Sequence, residues 1–169
     1  MSAPQSKWKN ALGEDRKEKF LQCAVSTVST EGRLLAVNSN FLAKAWNNIG
    51  EIVVVDSSNP CSIKPDQPRF KGHRSNVLDL QFCPHSTDLL ACLLTIAPFF
   101  FTESPRGLTQ HITKEVQLYH KYQKKVPFLT FNSIASDVLC SSALGGEIHI
   151  WNALKGETFC EINGEDIPT

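Results

Sequence analysis

FKGHRSNVLDLQFCPHSTDLLACLL, residues 70–94, decides how the chain is read. It opens with Gly72-His73, runs through an alternating apolar segment to Phe82, turns at Cys83-Pro84-His85 and enters a second apolar run ending near Cys92. Period-two alternation marks a half-buried antiparallel strand, and Pro beside Cys and His marks the turn. The stretch therefore predicts two consecutive strands of one sheet.

The same pattern recurs further along. Val77, Leu80, Phe82, Asp88 and Leu90 lie 49 positions before Val126, Leu129, Phe131, Asp137 and Leu139, so a second copy of the two-strand unit is expected there. A shorter match joins residues 50–56, GEIVVVD, to residues 146–152, GEIHIWN, and both read as a strand launched from a glycine turn. No segment carries a helical period. Strands and short turns account for most of residues 25–162, and the fold class is all-β.

Composition bounds what such a chain does. With 169 residues, 41% hydrophobic and 20% charged, it is long enough for one ordinary core and too apolar to be disordered throughout. Seventeen basic residues balance 17 acidic ones, so no global field draws the chain to nucleic acid or to a membrane surface. The polar, basic start MSAPQSKWKN lacks the apolar core of a secretory signal. Thr95 and Pro98 interrupt the apolar run 89–101 well short of the ~20 residues a bilayer requires, so no membrane insertion is expected and a cytoplasmic location is the default. Six cysteines, at positions 23, 61, 83, 92, 140 and 160, form no CxxC pair and read as packed thiols. His73 and Cys83-Pro84-His85 lack a second Cys/His pair, so neither zinc nor any other cofactor is expected. No GxSxG elbow, glycine-rich phosphate loop or HExxH helix occurs, and His73 and His120 lack a paired acid and nucleophile. The chain reads as non-enzymatic.

Gly72-His73 before a strand, the LLA-type strand after the turn, and residues 146–152 ahead of Lys155-Gly156-Glu157 resemble WD-repeat blades. The order of Ser6-Lys7-Trp8-Lys9-Asn10, Ala36-Val37-Asn38, the Gly-His repeat and a repeat ending in Ile150-Trp151-Asn152 resembles the N-terminal part of a coronin, with the tandem-propeller form of the family as an alternative parent. That resemblance covers residues 7–161 in patches. It implies a WD-repeat β-propeller-like chain of about three incomplete blades: a basic segment and first strand over 1–24, then a partial propeller over 25–169 with blades near 25–60, 70–102 and 114–162.

A WD blade is often locked by a His–Ser–Asp–Trp hydrogen-bond chain. His120, Ser141 or Ser142, and Trp151 match three of those roles, while Gly145 stands where the aspartate is expected. With Gly72 and His73 these are the expected structural blade residues. The 49-residue offset places a strand at 96–102, but Pro98 lies inside it, and proline donates no ladder hydrogen bond, so a central strand is not expected there. Divergence, an irregular edge-like strand and a faulty gene model remain open for residues 92–110. Three blades fall short of the ~4 or more of a closed ring, so exposed sheet edges are expected. No heptad pattern follows Ile162.

The coronin resemblance implies actin filaments as partner, organisation of the actin cytoskeleton as role, and cytoskeletal association as location. The candidate contact is the cluster Lys7, Lys9, Arg16, Lys17 and Lys19, diluted by Glu14, Asp15 and Glu18; a second cluster is Lys121, Lys124 and Lys125. The alternative is a WD-repeat scaffold for other protein partners, in vesicle trafficking or ubiquitin-ligase assembly.

Overall fold

The computed structural model describes residues 17, 19–22, 26–27, 29–46, 50–59, 62–64, 66–71, 75–94, 98–101, 117–118, 122 and 124–164. They contain eleven strands in three antiparallel sheets, with no helix among the described residues longer than a single short turn. Sheet 1 consists of β1 (Leu35–Val37), β2 (Phe41–Trp46) and β3 (Glu51–Asp56) in that order. Sheet 2 runs β4 (Asp79–Phe82), β5 (Leu90–Leu93), β6 (Pro98–Phe101), β7 (Gln117–Leu118). Sheet 3 runs β8 (Phe128–Phe131), β9 (Val138–Ser142), β10 (Ile148–Asn152), β11 (Glu157–Ile162). This is the partial propeller expected from the sequence, with two of its three sheets carrying four strands each.

The opening stretch forms β4 and β5, paired from Asp79 opposite Leu93 to Phe82 opposite Leu90. The 49-residue offset maps them onto β8 and β9 of sheet 3. Gly50 and Gly146 do launch the third strand of their sheets, at φ 75° and 83°. Gly146 is required twice over, because a Cβ there would also come within 2.9 Å of the Gly164 backbone.

Two expectations are corrected. An interior strand does form at Pro98–Phe101, paired on one side with β5 and on the other with β7. Proline is tolerated because it is the first residue of β6, at the end of the ladder opposite Leu93, where a missing donor costs least. Phe70, the first residue of the deciding stretch, belongs to sheet 1 as its fourth element, exchanging hydrogen bonds with Ile52 of 3.1 and 2.9 Å.

Alternation sends each strand's apolar residues to two different cores. Ala43, Ala45, Ile52 and Val54 of sheet 1 meet Leu80, Phe82, Leu90 and Cys92 of sheet 2 in one cluster. The opposite face of sheet 2, with Leu89, Ala91 and Leu93, packs on Leu129, Phe131, Leu139 and Trp151 of sheet 3. A third cluster, Trp46, Val53, Val55 and Ile63 with Phe20 against it, covers β3 on the far side of sheet 1. Each fully buried side chain of this size is worth ~1.5–3 kcal/mol relative to exposure, so the two inter-sheet cores dominate stability.

Candidate functional site

A buried carboxylate ties the innermost strands of the three sheets together. Asp79, at the start of β4, is completely buried. Its Oδ1 accepts hydrogen bonds from the Arg33 amide at 2.8 Å and from Arg33 Nε at 3.1 Å, and its Oδ2 accepts from the Leu129 amide at 3.2 Å. Arg33 Nη2 in turn donates to the Leu129 carbonyl at 2.9 Å, so the backbone N–H and C=O of one β8 residue are both held by side chains from earlier in the chain. Gln81 repeats the device two residues on, its Oε1 accepting from the Phe131 amide at 3.1 Å. Close approach here needs Gly32, whose Cβ in any other residue would overlap the Leu78 carbonyl and come within 2.9 Å of Asp79. A buried charge persists only when paired and hydrogen-bonded, and Asp79 has both kinds of partner.

In front of this junction lies an open groove of about 540 Å³ between β1 and β4, bordered by Arg33, Leu35, Val37, Gln81 and the 83–87 turn. His85 on that turn donates from Nε2 to the Asn132 carbonyl at 3.1 Å, linking the turns of sheets 2 and 3.

Sheet 3 contains the expected lock in altered form. Trp151 Nε1 donates to Ser141 Oγ at 2.7 Å across adjacent strands β10 and β9. Ser141 also shares a hydrogen bond with the Tyr122 hydroxyl, the role the sequence reading gave to a histidine. A phenol reaches a serine hydroxyl as an imidazole would, which sequence pattern alone does not reveal. Burial pushes the Tyr122 phenol up to about 12, against the smaller lowering effect of its hydrogen bonds from Ser141 and Trp151. Among the described residues His149 also joins the cluster, stacked on Trp151 at 5.1 Å and meeting Tyr122 edge-on at 4.7 Å.

Of the residues singled out in the sequence, Ser141 and Trp151 are thus brought together. Lys17 and Lys19 are exposed. Lys7, Lys9, Arg16, Gly72, His73 and His120 lie outside the described residues. Of the second basic cluster, Lys124 is exposed, Lys125 is half-buried, and Lys121 lies outside the described residues. Burial raises the Cys83 and Cys140 thiols above their ordinary range. Among the described residues no group of three or more His, Cys, Asp or Glu is placed to hold a metal ion, and no helix is long and apolar enough to cross a membrane. Sequence reasoning missed Arg33, Asp79 and Tyr122, although a lone charge inside the alternating run Val77-Leu78-Asp79-Leu80 was a visible signal of a buried polar junction.

Residues 2–62 match a family described as a domain of unknown function (DUF1899). The chain is 24% identical over 97% of its length to a coronin-like protein of Saccharomyces cerevisiae, of which it covers 27%. It is 25% identical over 87% of its length to bovine Coronin-2A, of which it covers 29%. The WD40 domain of Toxoplasma gondii coronin superposes with a TM-score of 0.79 at 24% identity, over 89% of this chain and 39% of that one. The chain therefore spans between a quarter and a third of the length of these curated relatives.

Proposed function

We propose that this coronin-like WD-repeat chain is a non-enzymatic binding module that contacts actin filaments through its basic N-terminal segment and takes part in organising the actin cytoskeleton in the cytoplasm. The observation that supports the reading is similarity to a yeast coronin-like protein over 97% of the chain, the basic segment included. Lys17 and Lys19 are exposed, as a contact surface requires. Attraction between patches of opposite sign sets encounter rate and register more than affinity, so the contact is expected to be weak and sensitive to salt.

Co-sedimentation with filaments at two salt concentrations tests the proposal. The Debye length falls from ~10 Å at 0.1 M to ~3 Å at 1 M, so the pelleted fraction should drop as salt rises. A charge-reversal variant at Lys7, Lys9, Arg16 and Lys17 should pellet several-fold less than the unmodified chain. Equal pelleting of both proteins at both salts would show the segment to be a solvated face. No pelleting by either, with both folded, would favour a scaffold for other protein partners.

A further inference from the structure

Sheet 3 carries a basic and apolar patch that neither the inter-sheet cores nor the Ser141–Trp151 lock uses. It is built on the turn joining β9 to β10. The Gly146 amide donates to the Ala143 carbonyl at 3.0 Å and the Ala143 amide to the Glu147 carbonyl at 2.8 Å, which leaves Leu144 and Gly145 as the two corner residues. The Leu144 amide donates to the Lys125 carbonyl at 2.9 Å, so the lead into β8 is fastened alongside. Turn corners favour Gly, Pro, Asn, Asp and Ser, yet here a leucine holds its side chain 67% exposed. Both segments lie beyond strand ends, clear of the faces on which sheet packs on sheet.

Two cations border that leucine. Lys124 is exposed and Lys125 half-buried, and among the described residues neither is in ion-pair contact with a carboxylate. Lys71, by contrast, shares Glu51 with Arg69. The Lys124 side chain lies across Gly145: a Cβ built there would sit 3.2 Å from its Cδ and 3.7 Å from its Nζ. Gly145 stands where the blade pattern expects an aspartate, whose carboxylate would be within reach of that ammonium group. Glu147, which follows the turn, is half-buried and bears on the Tyr122 phenol instead.

We propose that the turn at residues 143–146, with Lys124 and Lys125, is a docking site for an acidic peptide segment of a partner protein, one that carries an apolar side chain among its carboxylates. The ammonium groups take the carboxylates and Leu144 takes the apolar side chain. Charge complementarity selects this occupant, because two cations with no internal counter-ion attract an acidic segment and repel a basic one. A turn already pinned by backbone hydrogen bonds loses little conformational freedom on binding. The site is separate from Lys17 and Lys19 and stands whether or not the filament contact does.

Fluorescence anisotropy of a short fluorescein-labelled peptide, glutamates flanking one leucine, tests the site on the 169-residue chain. The chain should bind this peptide less tightly as salt rises, and should ignore the same peptide with lysines in place of the glutamates. Lys124→Glu combined with Lys125→Glu should raise the dissociation constant about tenfold. Leu144→Ser should raise it about fivefold through the lost apolar contact. Gly145→Asp separates docking from folding. Gly145 lies outside the left-handed region, and the nearest neighbour of a new Cβ there is a flexible side chain, so the substitution fits. Its carboxylate occupies Lys124 from within, and binding should fall about fivefold while the urea midpoint holds or rises. No binding of the glutamate peptide, or equal binding by the unmodified chain and the charge variants, would overturn the site. Flotation with phosphatidylserine vesicles in the absence of peptide binding would overturn it as well and assign the patch to an anionic membrane surface.

Discussion

Sheets 1 and 3 fasten their fourth strands by different physical means. In sheet 3, β11 runs along β10 from Ile162 opposite Ile148 to Glu157 opposite Asn152, with one register shift between Ile150 and Trp151. In sheet 1 the fourth element is a single bridge between Phe70 and Ile52. Its neighbours supply what the ladder lacks: Arg69 Nη1 reaches Glu51 Oε2 at 2.9 Å and Lys71 Nζ reaches Glu51 Oε1 at 3.4 Å, while the Arg69 guanidinium lies over the Trp46 ring at 4.4 Å. A ladder spreads its strength over many backbone bonds and tolerates most side-chain changes. A bridge flanked by two cations that share one carboxylate is more sensitive, because removing Glu51 takes an ion-pair partner from the buried Arg69 guanidinium.

Three measurements bear on this contrast, in order of expected effect. Trp151→Ala should have the largest, since Trp151 is 1% exposed and sits at the centre of the contact between sheets 2 and 3. Emptying such a site costs ~3–5 kcal/mol, visible as a fall in the urea midpoint at unchanged slope. A loss below about 1 kcal/mol would show that Trp151 does not anchor the contact between sheets 2 and 3.

Glu51→Ala comes next, at about 3 kcal/mol, because the Arg69 side chain it leaves behind is 8% exposed. The matching change in sheet 3, Glu161→Ala, should fall within about 0–1 kcal/mol, since that carboxylate is 58% exposed and 3.7 Å from His149. Similar losses from both variants, by the same urea titration, would erase the distinction between ladder and charge clamp.

Below the Glu51→Ala loss come the effects that test the lock itself. Ser141→Ala leaves the Trp151 N–H and the Tyr122 hydroxyl without their shared partner, at ~1–3 kcal/mol. Tyr122→Phe should cost less at neutral pH but change the alkaline behaviour. The phenol is raised from its usual ~10 to about 12 in the fold, so the folded state favours the neutral form. Its contribution is complete below about pH 10 and is lost as pH rises through about 12. Unfolding midpoints at pH 9 and pH 11 should therefore diverge more for the unmodified chain than for Tyr122→Phe. Equal divergence would mean that other groups carry the alkaline loss.

Much of the array was legible because period-two alternation requires only local chemistry. Residues 70–94 announced β4 and β5, the 49-residue echo announced β8 and β9, and paired glycines announced β3 and β10. The Ser–Trp pair was legible through the likeness to WD-repeat blades, which left Ser141 and Ser142 as alternatives; the structure selects Ser141. Pro98 misled because the rule against proline inside a strand does not say where the strand begins.

What the sequence by itself determined is therefore strand identity and the all-β class, which follow from patterns within a few dozen residues, and the likeness to coronins, which follows from the order of motifs along residues 7–161. Which side chains meet across sheets was decided only in three dimensions. Arg33, Asp79 and Leu129 are 46 and 50 positions apart in turn, and their junction exists because packing places three inner strands side by side. Tyr122 likewise serves the lock because its hydroxyl arrives at Ser141, 19 positions away, and nothing in its own neighbourhood marks it for that role. Alternation is a property of a strand, whereas partner choice is a property of the volume between strands, and only the folded chain fixes that volume.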